Sequence, residues 1–229
     1  MIVVLCSGFP VPASRYFREF RGVELSDTEL GIPGDGTVRR WVREAGAGFV
    51  FSALAPKEIG ASGFRRTNEN AAHVAAIAGL AEKLHPKAIV FGVPKAFEPS
   101  KANRAAVKAF LGTLPAAFPT SVLDFPAWPT AAVEQASGGR AVAAWDPLDA
   151  EPARHGDLAY LVLPGPAGPR SRYDADAITR IAARSQALNA HLVLCVFRNQ
   201  DMHTNATALR DGLKKLSSAP SGRARKSRT

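Results

Sequence analysis

Residues Gly22–Ile59 read GVELSDTELGIPGDGTVRRWVREAGAGFVFSALAPKEI, and their order decides the fold. GVELS and GFVFSALAP alternate or run apolar, as strands do. Between them Asp35 and Thr37 open an amphipathic stretch whose apolar side carries Val38, Trp41 and Val42, the spacing of a helix. A strand, a helix and a second strand in one short span make a βαβ unit. Such a crossover implies a parallel sheet with helices laid over it.

Working outward, the same alternation continues in both directions. Candidate strands are Ile2–Gly8, Gly22–Asp27, Gly48–Pro56, Ala88–Pro94, Thr120–Phe125, Ala141–Trp145, Leu158–Leu163 and His191–Phe197. IVVL, AIVF, LAYLVL and HLVLCVF are continuous apolar runs, as expected of strands covered on both faces. The intervening stretches carry apolar residues at helical spacing: Val74, Ile77, Ala81 and Leu84; Val107, Phe110, Leu111 and Leu114; Ile178, Ile181, Ala182 and Leu188. Eight such units predict a single-domain α/β fold, a (β/α)8 TIM-type barrel over residues 1–217, and 229 residues suit one such domain. Two units look irregular. Ser14–Phe20 supplies barely two helical turns after the first strand, and Pro147–Gly156 shows no helix pattern after the sixth.

The formal net charge is +9, of which Arg223, Arg225, Lys226 and Arg228 contribute four within SSAPSGRARKSRT, leaving 9 − 4 = +5. The Ser, Gly and Pro content of residues 218–229 predicts a disordered basic tail, either a solubilising end or an arm that attracts nucleic-acid phosphate. MIVVLCSGF lacks a cationic lead and is too short to span a membrane, so it reads as a core strand of a cytoplasmic protein. Two cysteines, Cys6 and Cys195, exclude a disulfide framework and a structural zinc cluster. They fall on the first and last strands, neighbours in a closed barrel where a bridge is geometrically conceivable, and are expected as buried free thiols.

Several motifs strengthen the barrel reading together. The second and third strands look like VEVNSTFY and FSVKAPREITH segments, TSVLDFPAWP resembles VALEFRHPSW, DLAYLVLPGP resembles DFAYVRLHG, and VFRNQDMHTNATAL resembles YVFFNNT…NAL. In order and spacing the chain is similar to the YecE-like family, domain of unknown function seventy-two, over nearly its whole length. The resemblance implies the barrel and leaves the reaction unassigned. It carries over Glu24, Asp124, Tyr173 and Asn199. It also marks departures: Ser26 replaces an Asn, Leu54 replaces a Lys, Val162 and Pro164 replace an Arg and a His, and the Arg-His pair after the fifth strand is missing.

In barrels of this kind ligand sites lie at the C-terminal ends of the strands. Glu24 and Asp124, on alternating positions that face the interior or its mouth, are the candidate catalytic pair, as general acid and base or as ligands of a divalent metal. The competing reading is a structural network with Lys57, Lys95 or Arg198. The loop PGPAGPRSRYDAD offers Arg170, Arg172 and Tyr173, and the next strand offers Arg198 and Asn199; these are the candidate ligand-binding residues, suited to an oxyanion. A solvated loop with Asp174 capping the next helix is the alternative. His73, His85, His155 and His191 have no metal-pair spacing, and no GxGxxG, Walker or GxSxG motif supports a nucleotide cofactor or a serine nucleophile. Two functions follow as expectations: binding or hydrolysis of a phosphate-containing or other anionic ligand at the barrel mouth, or a non-catalytic nucleic-acid-binding or scaffold role with a degenerate site.

Overall fold

The two strands of the Gly22–Ile59 stretch pair in parallel, Glu24 beside Ser52 and Leu25 beside Ala53, in a computed structural model that describes residues 1–149 and 156–218. The strands are β1 Ile2–Cys6, β2 Gly22–Leu25, β3 Val50–Leu54, β4 Ala88–Gly92, β5 Thr120–Asp124, β6 Ala141–Trp145, β7 Leu158–Leu163 and β8 Leu192–Phe197. The helices are α1 Ala13–Glu19, α2 Asp35–Ala45, α3 Lys57–Ala61, α4 Asn68–Leu84, α5 Lys101–Leu111, α6 Thr130–Ser137, α7 Ala175–Ala187 and α8 Met202–Ser218. Hydrogen-bonded neighbours run β1-β8-β7-β6-β5-β4-β3-β2, all parallel. A single bridge, Ser7 to Glu24, with Gly8 N–H donating to the Glu24 carbonyl at 2.7 Å, joins β1 to β2 and rounds the sheet into a nearly closed barrel.

The period of two divides each strand into an inner and an outer set. Val3, Leu5, Val50, Val90, Val122, Tyr160, Val162, Leu194 and Val196 fill the barrel. Their outward neighbours, among them Phe51, Ile89, Phe91, Leu123 and Leu161, pack under the helices. Burying each such large side chain contributes roughly 1.5–3 kcal/mol. On α2 the stripe is Val38, Trp41 and Ala45, whereas Val42 is 45% exposed because it falls at the edge of that face. Cys6 and Cys195 are free, buried and on the outer face, and burial pushes both thiols up to about 12.

The seam between β1 and β2 is held by a side chain. The Cys6 N–H donates to the Tyr16 hydroxyl at 2.9 Å, and that hydroxyl donates to the Gly22 carbonyl at 2.9 Å. Tyr16, from the two-turn α1, thus stands in for ladder bonds that strands this far apart cannot make directly. No helix occurs among the described residues between β6 and β7, in line with the irregular sixth unit; residues 150–155 lie outside the described residues, as do residues 219–229 of the basic stretch. Gly60 lets α3 press against the end of β4, since a Cβ there would stand 1.9 Å from the Gly92 carbonyl oxygen. That contact sets one wall of the barrel mouth.

Candidate functional site at the barrel mouth

Interior parity carries four side chains toward the C-terminal end of the barrel: Glu24 from β2, Ser52 from β3, Asp124 at the end of β5, and Tyr160 from β7. Arg198 follows β8 directly, its N–H donating to the Leu163 carbonyl at 3.0 Å, so it continues the inward set of Leu194 and Val196 into the mouth. The guanidinium donates to Glu24 through Nε to Oε1 at 2.8 Å and Nη2 to Oε2 at 2.7 Å, a bidentate pair. Its Nη1 donates to Asp124 Oδ2. Tyr160 Oη donates to Glu24 Oε2 at 2.6 Å and lies 3.0 Å from Ser52 Oγ, and Ser7 adds a further hydrogen bond to Glu24.

Glu24 is fully buried, and a buried carboxylate costs several kcal/mol unless its charge and lone pairs are met. Here they are. Burial pushes its carboxyl up, but the Arg198 charge and the hydrogen bonds from Arg198, Tyr160 and Ser7 outweigh that and hold it below the usual carboxylate range. Burial likewise works against the charge on Arg198, and the Glu24 and Asp124 carboxylates overcome it, raising the guanidinium well above its ordinary value. Burial first, and then the adjacent Glu24 charge, push the Tyr160 hydroxyl well up, so it stays a proton donor in the network.

Asp124 differs from Glu24. Its side chain is 21% exposed and lines a cavity of about 380 Å³ with Arg198, Leu54, Val90, Val93, Pro94 and the rim residues Glu29, Lys57 and Glu58. Leu54, the residue in place of the cation that the family resemblance implies, forms part of an apolar wall. Arg198 stands between the two carboxylates, where a bridging cation would otherwise sit. Among the described residues no group of three or more His, Cys, Asp or Glu is placed to hold a metal ion.

The remaining residues singled out from the sequence lie elsewhere. Arg172 forms a bidentate pair with Asp201, both bonds at 3.0 Å, and Arg170 is exposed; neither lines the cavity. Tyr173 is buried, its hydroxyl accepting the Gly165 N–H at 2.9 Å and its ring meeting Phe197 edge to face. Asn199 is buried and donates to the Ser171 carbonyl and to Asn205 Oδ1, both at 2.8 Å, while its own Oδ1 has no hydrogen-bond partner among the described residues. Together with Gly165, whose φ of +103° and 2.2 Å approach of the Gly168 oxygen to a would-be Cβ admit no side chain, they brace the loop between β7 and α7 against the loop after β8. Asp174 caps α7 by accepting the Ala177 N–H at 2.7 Å. Lys57 sits on the rim, and Lys95 is exposed.

Sequence reasoning missed Tyr160, read there as part of an apolar run. The available signal was chemical: a tyrosine on the inward side of a strand buried on both faces needs a partner for its hydroxyl.

Comparison with known proteins agrees with this architecture. A DUF72 family protein from Enterococcus faecalis, seen in a crystal structure, is 19% identical with a TM-score of 0.73, covering 93% of this chain and 98% of its own. Another from Thermotoga maritima is 17% identical with a TM-score of 0.75, covering 93% and 99%. At these identities the likeness is one of fold. Among curated proteins none matches the chain. No described helix is long and apolar enough to cross a membrane. Residues 13–228 match the family described as "Protein of unknown function DUF72", and the chain belongs to that family.

Proposed function

We propose that this protein binds a small molecule in the mouth cavity, with Asp124 as the hydrogen-bond acceptor that meets it and as general base for any proton transfer on it. The observation that carries this reading is the division of labour around Arg198: Glu24 is fully buried and bound twice, whereas Asp124 is bound once and faces the cavity. Glu24 is therefore a positioning residue that fixes Arg198, not a group that touches the ligand.

Charge decides the ligand class. Two carboxylates share one guanidinium, so the cluster carries 1 − 2 = −1, and the rim adds Glu29 and Glu58 against Lys57. A ligand offering hydroxyl or amine donors meets this floor without rearrangement. A phosphate or other anion, the class that the arginine-rich sequence suggests, has to displace Asp124 from Arg198 while remaining beside it, and at roughly 4 Å like charges repel by several kcal/mol in a protein site.

Thermal-shift titration of wild type and Asp124→Asn with three sets of probes, primary amines, polyols and inorganic phosphate, tests this. The expected result is stabilisation of the wild type by an amine or polyol that Asp124→Asn abolishes. Stabilisation by phosphate that grows in Asp124→Asn, where the Arg198 Nη1 no longer faces a carboxylate, would overturn it in favour of the anionic reading.

A further inference from the structure

A second and larger cavity, about 850 Å³, opens at the opposite end of the barrel, below the seam where β1 and β2 are joined by one bridge and the Tyr16 hydroxyl. Its floor is apolar, made by Val3 and Val50 with Phe17, Phe20 and Phe49. Its rim is cationic: Arg18 in the last turn of α1, Arg21 just before β2, and Arg210 and Lys214 one turn apart on α8. The acidic groups nearby are already engaged. Glu19 is bound by Arg15 at 2.6 Å and by His203 at 2.7 Å, and Asp211 pairs with Arg210. Arg210 is also anchored by donating to the Glu19 carbonyl at 2.7 Å and by lying 5.3 Å above the Phe20 ring. Arg18 and Arg21 are exposed and form no ion pair among the described residues, so they leave an uncompensated positive charge over an apolar floor.

We propose that this groove is a binding site for an anionic amphiphile, an alkyl or aryl body ended by an oxyanion. The body would lie along Val3, Val50 and Phe17, which line the groove beneath the β1–β2 seam although each is 9% exposed or less. The head would lie between Arg18 and Arg21, with the fixed Arg210 beside them. Charge complementarity selects the occupant: a cationic amphiphile is repelled by the rim, and a neutral one leaves the two arginines unmet. The chain's own terminal stretch, with four cations between Arg223 and Arg228, is excluded for the same reason. This site is independent of the mouth: it shares no lining residue with Asp124 or Arg198.

The test is isothermal titration of the full chain with decanoate, decanol and decyltrimethylammonium below their critical micelle concentrations. Decanoate is expected to bind roughly tenfold or more tightly than either of the others, and Arg18→Gln/Arg21→Gln, two exposed positions, to weaken it by roughly tenfold. Ala47→Trp, which fills the exposed rim, blocks binding while thermal unfolding stays that of the wild type, and Asp124→Asn leaves binding unchanged. Equal affinity for decanoate and decanol, no loss in the arginine double variant, or loss on removing residues 219–229 alone would overturn the proposal, as would a dimer formed through this face that excludes decanoate.

Discussion

Glu24 makes its strongest demand on the molecule as a single residue. Replacing it with Gln leaves Arg198 with Asp124 alone, and breaking a buried pair by removing one partner costs about 3–5 kcal/mol. Urea unfolding should register that loss for Glu24→Gln and a much smaller one for Asp124→Asn, whose carboxylate is partly in water. The pH dependence follows from the same pair. Because the folded Glu24 carboxyl titrates below its unfolded value of about 4.3, its contribution is fully present above that pH and is lost as pH falls through the lower folded value. Wild type should therefore lose stability between about pH 4.3 and the acid limit more steeply than Glu24→Gln. Tyr160→Phe removes the neutral donor and should cost about 1–2 kcal/mol in the same assay. Glu24, Asp124 and Arg198 were legible in the sequence because charged residues at strand ends stand out. Tyr160 was hidden because an aromatic ring inside an apolar strand satisfies the pattern of a core residue. The grouping of Arg198 with Arg170 and Arg172 was not legible either way, since pairing with Glu24 and with Asp201 depends on three-dimensional neighbours.

At the scale of the elements, α1 does more than its two turns suggest. Its Tyr16 hydroxyl serves a donor on β1 and an acceptor on β2. Tyr16→Phe strands both buried backbone groups, at about 1–3 kcal/mol each, and hydrogen exchange should show the Cys6 amide losing protection. The Gly8 amide, bound to the Glu24 carbonyl, should keep its protection better. The loop after β7 is held as firmly: Gly165→Ala forces a Cβ into the Gly168 carbonyl and should loosen the loop without touching Asp124. The strands could be read from apolar runs and the longer helices from their stripes. The short β1–β2 connection and the stretch after β6 resisted the same reading, because neither carries enough residues for a period to show.

The molecule as a whole is a DUF72 barrel with two differently charged ends. At the C-terminal mouth Arg198 is neutralised twice and a carboxylate faces out; at the N-terminal end Arg18 and Arg21 form no ion pair among the described residues. The formal charge of +9 therefore says little about the mouth, where local pairing outweighs the net balance. A crystal structure grown with the best-stabilising amine or polyol tests the central claim most directly. The predicted result is a ligand donor on Asp124 with both Arg198–Glu24 bonds intact. An oxyanion seated on Arg198, with Asp124 turned away, would contradict it.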